Sequence, residues 1–141
     1  MKKKQIVIET QSDDPDYPGG MSPQIAEEAE DIIDADEIVT DRDSILINFT
    51  YPLSRKVSFS FHQKRPGGFT RLDFYQCVLA GYHRIYNEEH KAVGDPGHIQ
   101  GMLNRESSDG PYGIWGHDIG DLVLEGVTDN GDGTFDLSIG S

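Results

Sequence analysis

The sequence predicts an α+β fold, an antiparallel sheet built from two hairpins with one long helix packed on a face. Three features carry that expectation: two stretches that alternate apolar and polar residues around short turns, and between them one long segment with apolar residues at helical spacing. A chain of 141 residues holds one ordinary core and leaves little room for a second.

The first hairpin starts at Ser44. Ile45, Ile47, Phe49 and Tyr51 fall on one face of a strand, and Val57, Phe59 and Phe61 repeat the alternation after the turn Pro52-Leu53-Ser54. Its aromatic face needs a cover. The segment from Arg71 to about Ala92 supplies one, with Leu72, Tyr75, Leu79, Tyr82 and Tyr86 three and four residues apart. Thr70 and Asp73 stand where a capping box would start this helix, and Gly94 and Pro96 end it. Residues 94 to 113 form a polar, Gly-rich connection in which His98 to Asn104 is expected to make a helical turn. The second hairpin is expected to turn on Asn130-Gly131, a two-residue loop that would set Leu124 opposite Leu137 and Leu122 opposite Ile139.

Charge divides the chain. The formal net charge is -13, and residues 9 to 43 alone hold thirteen acidic side chains against Arg42. Residues 1 to 43 therefore read as an acidic N-terminal arm with a short strand near Gln5 and a short helix over Gln24 to Ile33, capped by Ser22 and Pro23. Residues 44 to 141 read as the single α+β domain, with its own paired apolar faces. Asp13 to Gly20, crossed by two prolines, cannot be a regular helix or strand.

Composition excludes several classes. No apolar run approaches the roughly 20 residues that span a bilayer, and the opening Met-Lys-Lys-Lys has no apolar stretch behind it long enough for a signal peptide. The expectation is a soluble, intracellular, unsecreted protein. Cys77 is the single cysteine, so no intrachain disulfide forms, and neither a metal site nor a cofactor is expected.

Tyr112-Gly113-Ile114-Trp115-Gly116-His117-Asp118, followed by Asp121-Leu122-Val123-Leu124-Glu125-Gly126 and closed by Leu137 to Ser141, resembles a family of small uncharacterised proteins associated with large DNA viruses of protists. Phe69 to Tyr86 is similar to a helix upstream in those proteins. The resemblance covers about half of the chain and implies a viral or virus-derived accessory protein, placed in host cytoplasm or virion. It carries no activity and no catalytic residue.

Two clusters are the candidate sites. His117, Asp118 and Asp121 beside Trp115 put an imidazole and two carboxylates within five residues, the material of a general base or a small hydrolase; the same residues also serve as turn caps. Lys64, Arg65 and Arg71 surround two glycines at a helix entrance, which suits a phosphate, carboxylate or nucleotide; the competing readings are a solvated turn or a dock for the acidic arm. Asp129 to Gly133 has the look of a calcium loop but lacks two ligands, and turn chemistry explains it. The leading expectation is a noncatalytic interaction module with a protein partner, a basic one being the match for the acidic arm. Free nucleic acid should bind the intact chain poorly, given its charge.

Overall fold

A computed structural model describes residues 3–11, 15–16, 20–97 and 105–141. The expected helical turn at 98–104 and most of the irregular stretch at 13–20 lie outside them. The fold is α+β. Strands β1 (Lys4–Ile6), β3 (Ser44–Phe49), β4 (Val57–His62), β6 (Val123–Asp129) and β7 (Thr134–Gly140) form a five-stranded sheet in the order β1-β6-β7-β3-β4. A second, two-stranded sheet pairs β2 (Ile38–Thr40) with β5 (Phe69–Thr70). Helix α1 (Arg71–Val93) runs from β5.

Both expected hairpins form, but the sheet is mixed rather than antiparallel. β3 and β7 run parallel at the junction of the hairpins, with Leu46, Ile47 and Asn48 opposite Thr134, Phe135 and Asp136. Each hairpin has an edge strand to spare, and joining them edge to edge buries both edges. β1 then covers the outer edge of β6, with Ile6 opposite Val127.

The final hairpin turns later than expected. Asp129 pairs with Phe135 and Val127 with Leu137, and the four residues Asn130 to Gly133 join the two strands. Asp129 Oδ1 accepts from Gly131 N–H at 2.9 Å and Asp132 Oδ1 from Thr134 N–H at 3.0 Å, two side-chain turns that outcompete the tight two-residue loop. A register irregularity between Leu124 and Gly126 accompanies the shift. Leu124 and Val127 are three residues apart and would face opposite sides of a regular strand; the extra residue turns both inward, and both are buried.

Thr70 and Asp73 make the expected capping box: Asp73 N–H donates to Thr70 Oγ1 at 3.0 Å, and Thr70 N–H to Asp73 Oδ2 at 3.0 Å. Gly94 closes the helix with its N–H on His90 O at 2.7 Å. Phe74 meets Phe135 and Tyr82 meets Phe49, both edge-on with centroids 5.1 Å apart. Cys77 is buried, and that burial pushes its thiol up to about 11, so it is a packing residue without nucleophilic character at neutral pH.

Residues 22 to 33 are not helical; they run as bends and isolated bridges. Ile25 N–H donates to Leu122 O at 3.0 Å and Leu124 N–H to Pro23 O at 2.8 Å, which lays this segment along the start of β6. Tyr75 on α1 takes the backbone groups a helix would have used internally: its hydroxyl lies 2.7 Å from Gln24 O and accepts from Ala29 N–H at 3.1 Å. Tertiary partners for the backbone, together with full burial of Ile25, outweigh a narrow helical stripe. Ile6, Ile8, Ile25, Ile32 and Val39 belong to the same apolar cluster as Phe49 and Tyr82, so the described part of the acidic segment contributes to the core instead of docking on it. Deleting residues 1 to 43 is expected to abolish cooperative thermal unfolding, because five buried aliphatic side chains at about 1.5–3 kcal/mol each are as large together as the whole usual margin of a small domain. A sharp transition in the truncated protein, followed by circular dichroism, would show that 44–141 is self-sufficient.

Candidate functional site

The two sequence-predicted clusters fare differently. Lys64, Arg65 and Arg71 do not converge. Lys64 Nζ donates to Gln76 Oε1 at 2.6 Å, Arg65 pairs with Asp73 at 3.2 Å, and Arg71 reaches Val7 O at 2.7 Å and Glu37 at 3.1 Å. The N–H groups at the helix entrance are also taken. Arg71 N–H donates to Glu37 O and Leu72 N–H to Ala35 O, while Thr70 and Asp73 cap each other. An anion there would meet no vacant donor row. Glu37 is an arm residue, so at Arg71 the acidic segment occupies the basic patch.

The second cluster is assembled. The backbone N–H of Trp115 donates to Pro52 O at 3.0 Å, and isolated bridges at Leu53–Ile114 and Arg105–Gly116 hold the segment that carries it. Trp115 is 41% exposed, and its indole stands edge-on to Tyr51 at 5.2 Å. His117 also lies by Tyr51, ring centroids 6.1 Å apart. Its Nε2 is 3.2 Å from Ser141 Oγ, which in turn is 2.8 Å from the Tyr51 hydroxyl, and its Nδ1 is 3.8 Å from Asp121 Oδ2. Asp121 closes a 3-10 turn, Ile119–Asp121, in which its carboxylate accepts from Asp118 N–H at 3.2 Å. Asp118 and Asp121 keep about half of their side chains in solvent.

Beneath this surface lies a buried ionic scaffold that sequence reasoning missed. Glu89 on α1 is fully buried and its carboxylate gathers the loop 108–114: Oε1 accepts from Tyr112 N–H at 2.8 Å, and Oε2 from Ser108 Oγ at 2.5 Å, Gly110 N–H at 3.1 Å and Ile114 N–H at 3.2 Å. Burial pushes the carboxyl up, but those four donors outweigh it and hold it below the usual carboxylate range. Arg105, 5% exposed, donates to Ile114 O and Ser108 Oγ at 3.3 Å and sits 3.6 Å from Asp118. Tyr86 donates to His117 O at 2.8 Å. One signal was in the chain: Glu89 falls seven residues after Tyr82 on the apolar stripe, where the helical period calls for a hydrophobic side chain. Tyr51 and Ser141, remote in sequence, gave none.

No protein-family model matches the chain, nor does any curated protein or solved structure. The resemblance drawn from Trp115 and its neighbours therefore stands on those residues alone. Among the described residues no group of three or more His, Cys, Asp or Glu is placed to hold a metal ion, and no helix is long and apolar enough to cross a membrane.

Chemically the arrangement offers two things. One is the half-exposed indole of Trp115 packed on Tyr51, followed three and six residues on by the half-exposed carboxylates of Asp118 and Asp121. The other is the order carboxylate, imidazole, hydroxyl through Asp121, His117 and Ser141, in which the first link, at 3.8 Å, is longer than a hydrogen bond.

Proposed function

We propose that the chain is a noncatalytic binding module, a viral or virus-derived accessory protein, that takes a Lys/Arg-rich segment of a protein partner on the Trp115–Tyr51 surface. The observation that carries this reading is the half-exposed indole of Trp115 held edge-on by Tyr51, with the half-exposed carboxylates of Asp118 and Asp121 three and six residues further along the chain. An exposed tryptophan on a rigid backbone is the residue type that dominates binding energy at interfaces. A cation gains from both the ring face and the two acids, and a net charge of -13 favours its approach. The segment that builds this surface is also the one on which the family resemblance rests.

Trp115 is the single tryptophan, so its fluorescence reports the site directly. A short Lys/Arg-rich peptide is expected to shift the emission saturably and in a salt-sensitive way, and a Glu-rich peptide of the same length to leave it unchanged. Replacing Asp118 and Asp121 together by Asn should weaken the basic peptide about tenfold or more, equivalent to about 1.4 kcal/mol. Equal responses to the two peptides would sink the reading.

The Asp121–His117–Ser141 order supports a second reading, a small hydrolase with Ser141 as nucleophile and His117 as base. Ester turnover that disappears in Ser141→Ala and His117→Ala would favour it over the binding module. Turnover unchanged in both variants eliminates it.

A further inference from the structure

The face of the sheet away from α1 carries a row of short polar side chains that crosses all five strands in register. Gln5 on β1 is opposite Thr128 on β6, Thr128 is opposite Asp136 on β7, Asp136 is opposite Asn48 on β3, and Asn48 is opposite Ser58 on β4. Three of the four neighbouring pairs in this row bond to each other. Gln5 Nε2 donates to Thr128 Oγ1 at 3.0 Å, Asn48 Nδ2 to Asp136 Oδ1 at 2.7 Å, and Ser58 Oγ to Asn48 Oδ1 at 2.6 Å. Asn130 Nδ2 adds a second amide to Asp136, at 3.2 Å on Oδ2. Over the β7–β3–β4 end of the row lies a cleft of about 310 Å³, lined by Asn48, Thr50, Lys56, Val57, Ser58 and Asp136.

We propose that this cleft binds a neutral saccharide, through Asn48, Ser58 and Asp136 as a pre-oriented floor and Thr50 and Lys56 as the groups that close on the ligand. The chemistry selects the ligand class. Asp136 is acceptor-only, so its remaining lone pairs ask for hydroxyl donors and repel a phosphate or carboxylate. Lys56 is donor-only and asks for acceptors, and neither its ammonium nor the Thr50 hydroxyl has a hydrogen-bond partner among the described residues. A ring bearing adjacent hydroxyls supplies donor and acceptor from the same atoms, so one ligand satisfies both. The ammonium and carboxylate together leave the cleft without net charge, which disfavours an ionic ligand of either sign. The floor is already ordered by its own hydrogen bonds, so binding immobilises little beyond Lys56. None of these residues belongs to the Trp115 surface, and the proposal stands or falls separately from the one made for it.

The test is nuclear magnetic resonance titration of the whole chain with D-glucose, D-galactose, D-mannose and N-acetylglucosamine, following the side-chain amide signals of Asn48 and Asn130 and the backbone of β3, β4 and β7. At least one sugar is expected to move these signals saturably. Lys56→Ala, at an exposed side chain remote from the core, is expected to weaken that sugar about tenfold, and Asp136→Asn by at least as much. Inorganic phosphate should leave the same signals in place. The proposal is overturned if no sugar of the panel shifts them, if phosphate shifts them as well as any sugar does, or if Lys56→Ala and Asp136→Asn both bind with unchanged affinity.

Discussion

Glu89→Gln is expected to lower stability by about 3 kcal/mol, a large effect for the exchange of one oxygen for one amide. Every group facing this carboxylate is a donor: three backbone N–H groups and the Ser108 hydroxyl. Gln keeps one oxygen and must turn its NH₂ toward either Tyr112 N–H or the other three. Whichever way it turns, at least one buried N–H loses its partner and meets another donor. Urea unfolding monitored at Trp115, with hydrogen exchange at Gly110, Tyr112 and Ile114, measures both the global loss and its location. A change below about 0.5 kcal/mol would place Glu89 among residues whose surroundings simply relax.

The same carboxylate sets a pH dependence. Its folded-state pKa is depressed, so ionised Glu89 contributes stability that is fully present above the ordinary carboxylate range and is lost as pH falls through and below it. Acid unfolding of the native chain should accordingly begin with the 108–114 loop, and the Gln variant should show a flatter acid limb.

Gly81→Val is expected to cost about 3 kcal/mol, although glycine inside a helix is ordinarily a weakness worth about 1 kcal/mol to repair. A Cβ at this position would stand 2.2 Å from Phe49 Cζ and within 3 Å of two further ring atoms. Phe49 cannot retreat, being fully buried between Tyr82 and Phe59. The glycine is thus what lets α1 approach β3. Shrinking the ring in a Gly81→Val/Phe49→Leu pair should recover part of the loss, and strict additivity of the two single changes would refute direct contact as its cause.

Local signals made α1 and both hairpins legible. The Thr70–Asp73 box, Gly94 and the three- and four-residue spacing from Leu72 to Tyr86 each act within a few residues, and the structure repeats them. What was not legible depends on partners distant in sequence. The parallel β3–β7 pair leaves no mark on either strand, because an edge buried by a hairpin and one buried by a crossover show the same alternation. The arm misled for a related reason: its acids dominate the composition, whereas Ile6, Ile8 and Ile25 decide where it lies. At the candidate site, Trp115, His117 and Asp121 were visible as a cluster. Tyr51 and Ser141, which set the imidazole's surroundings, and Arg105, which lies under Asp118, come from three separate regions.

The position of β1 bears on the order of events during synthesis. Its partner β6 lies more than a hundred residues downstream, with Lys4 opposite Asp129 and Ile6 opposite Val127. Ile6 and Ile8 therefore stay without the strand that shelters them until all of the intervening chain has been made. The three lysines ahead of them and the acids that follow keep this segment charged and dispersed during that wait. The chain can seal its outermost strand only after everything between has been made, so folding to completion is limited by a long-range closure.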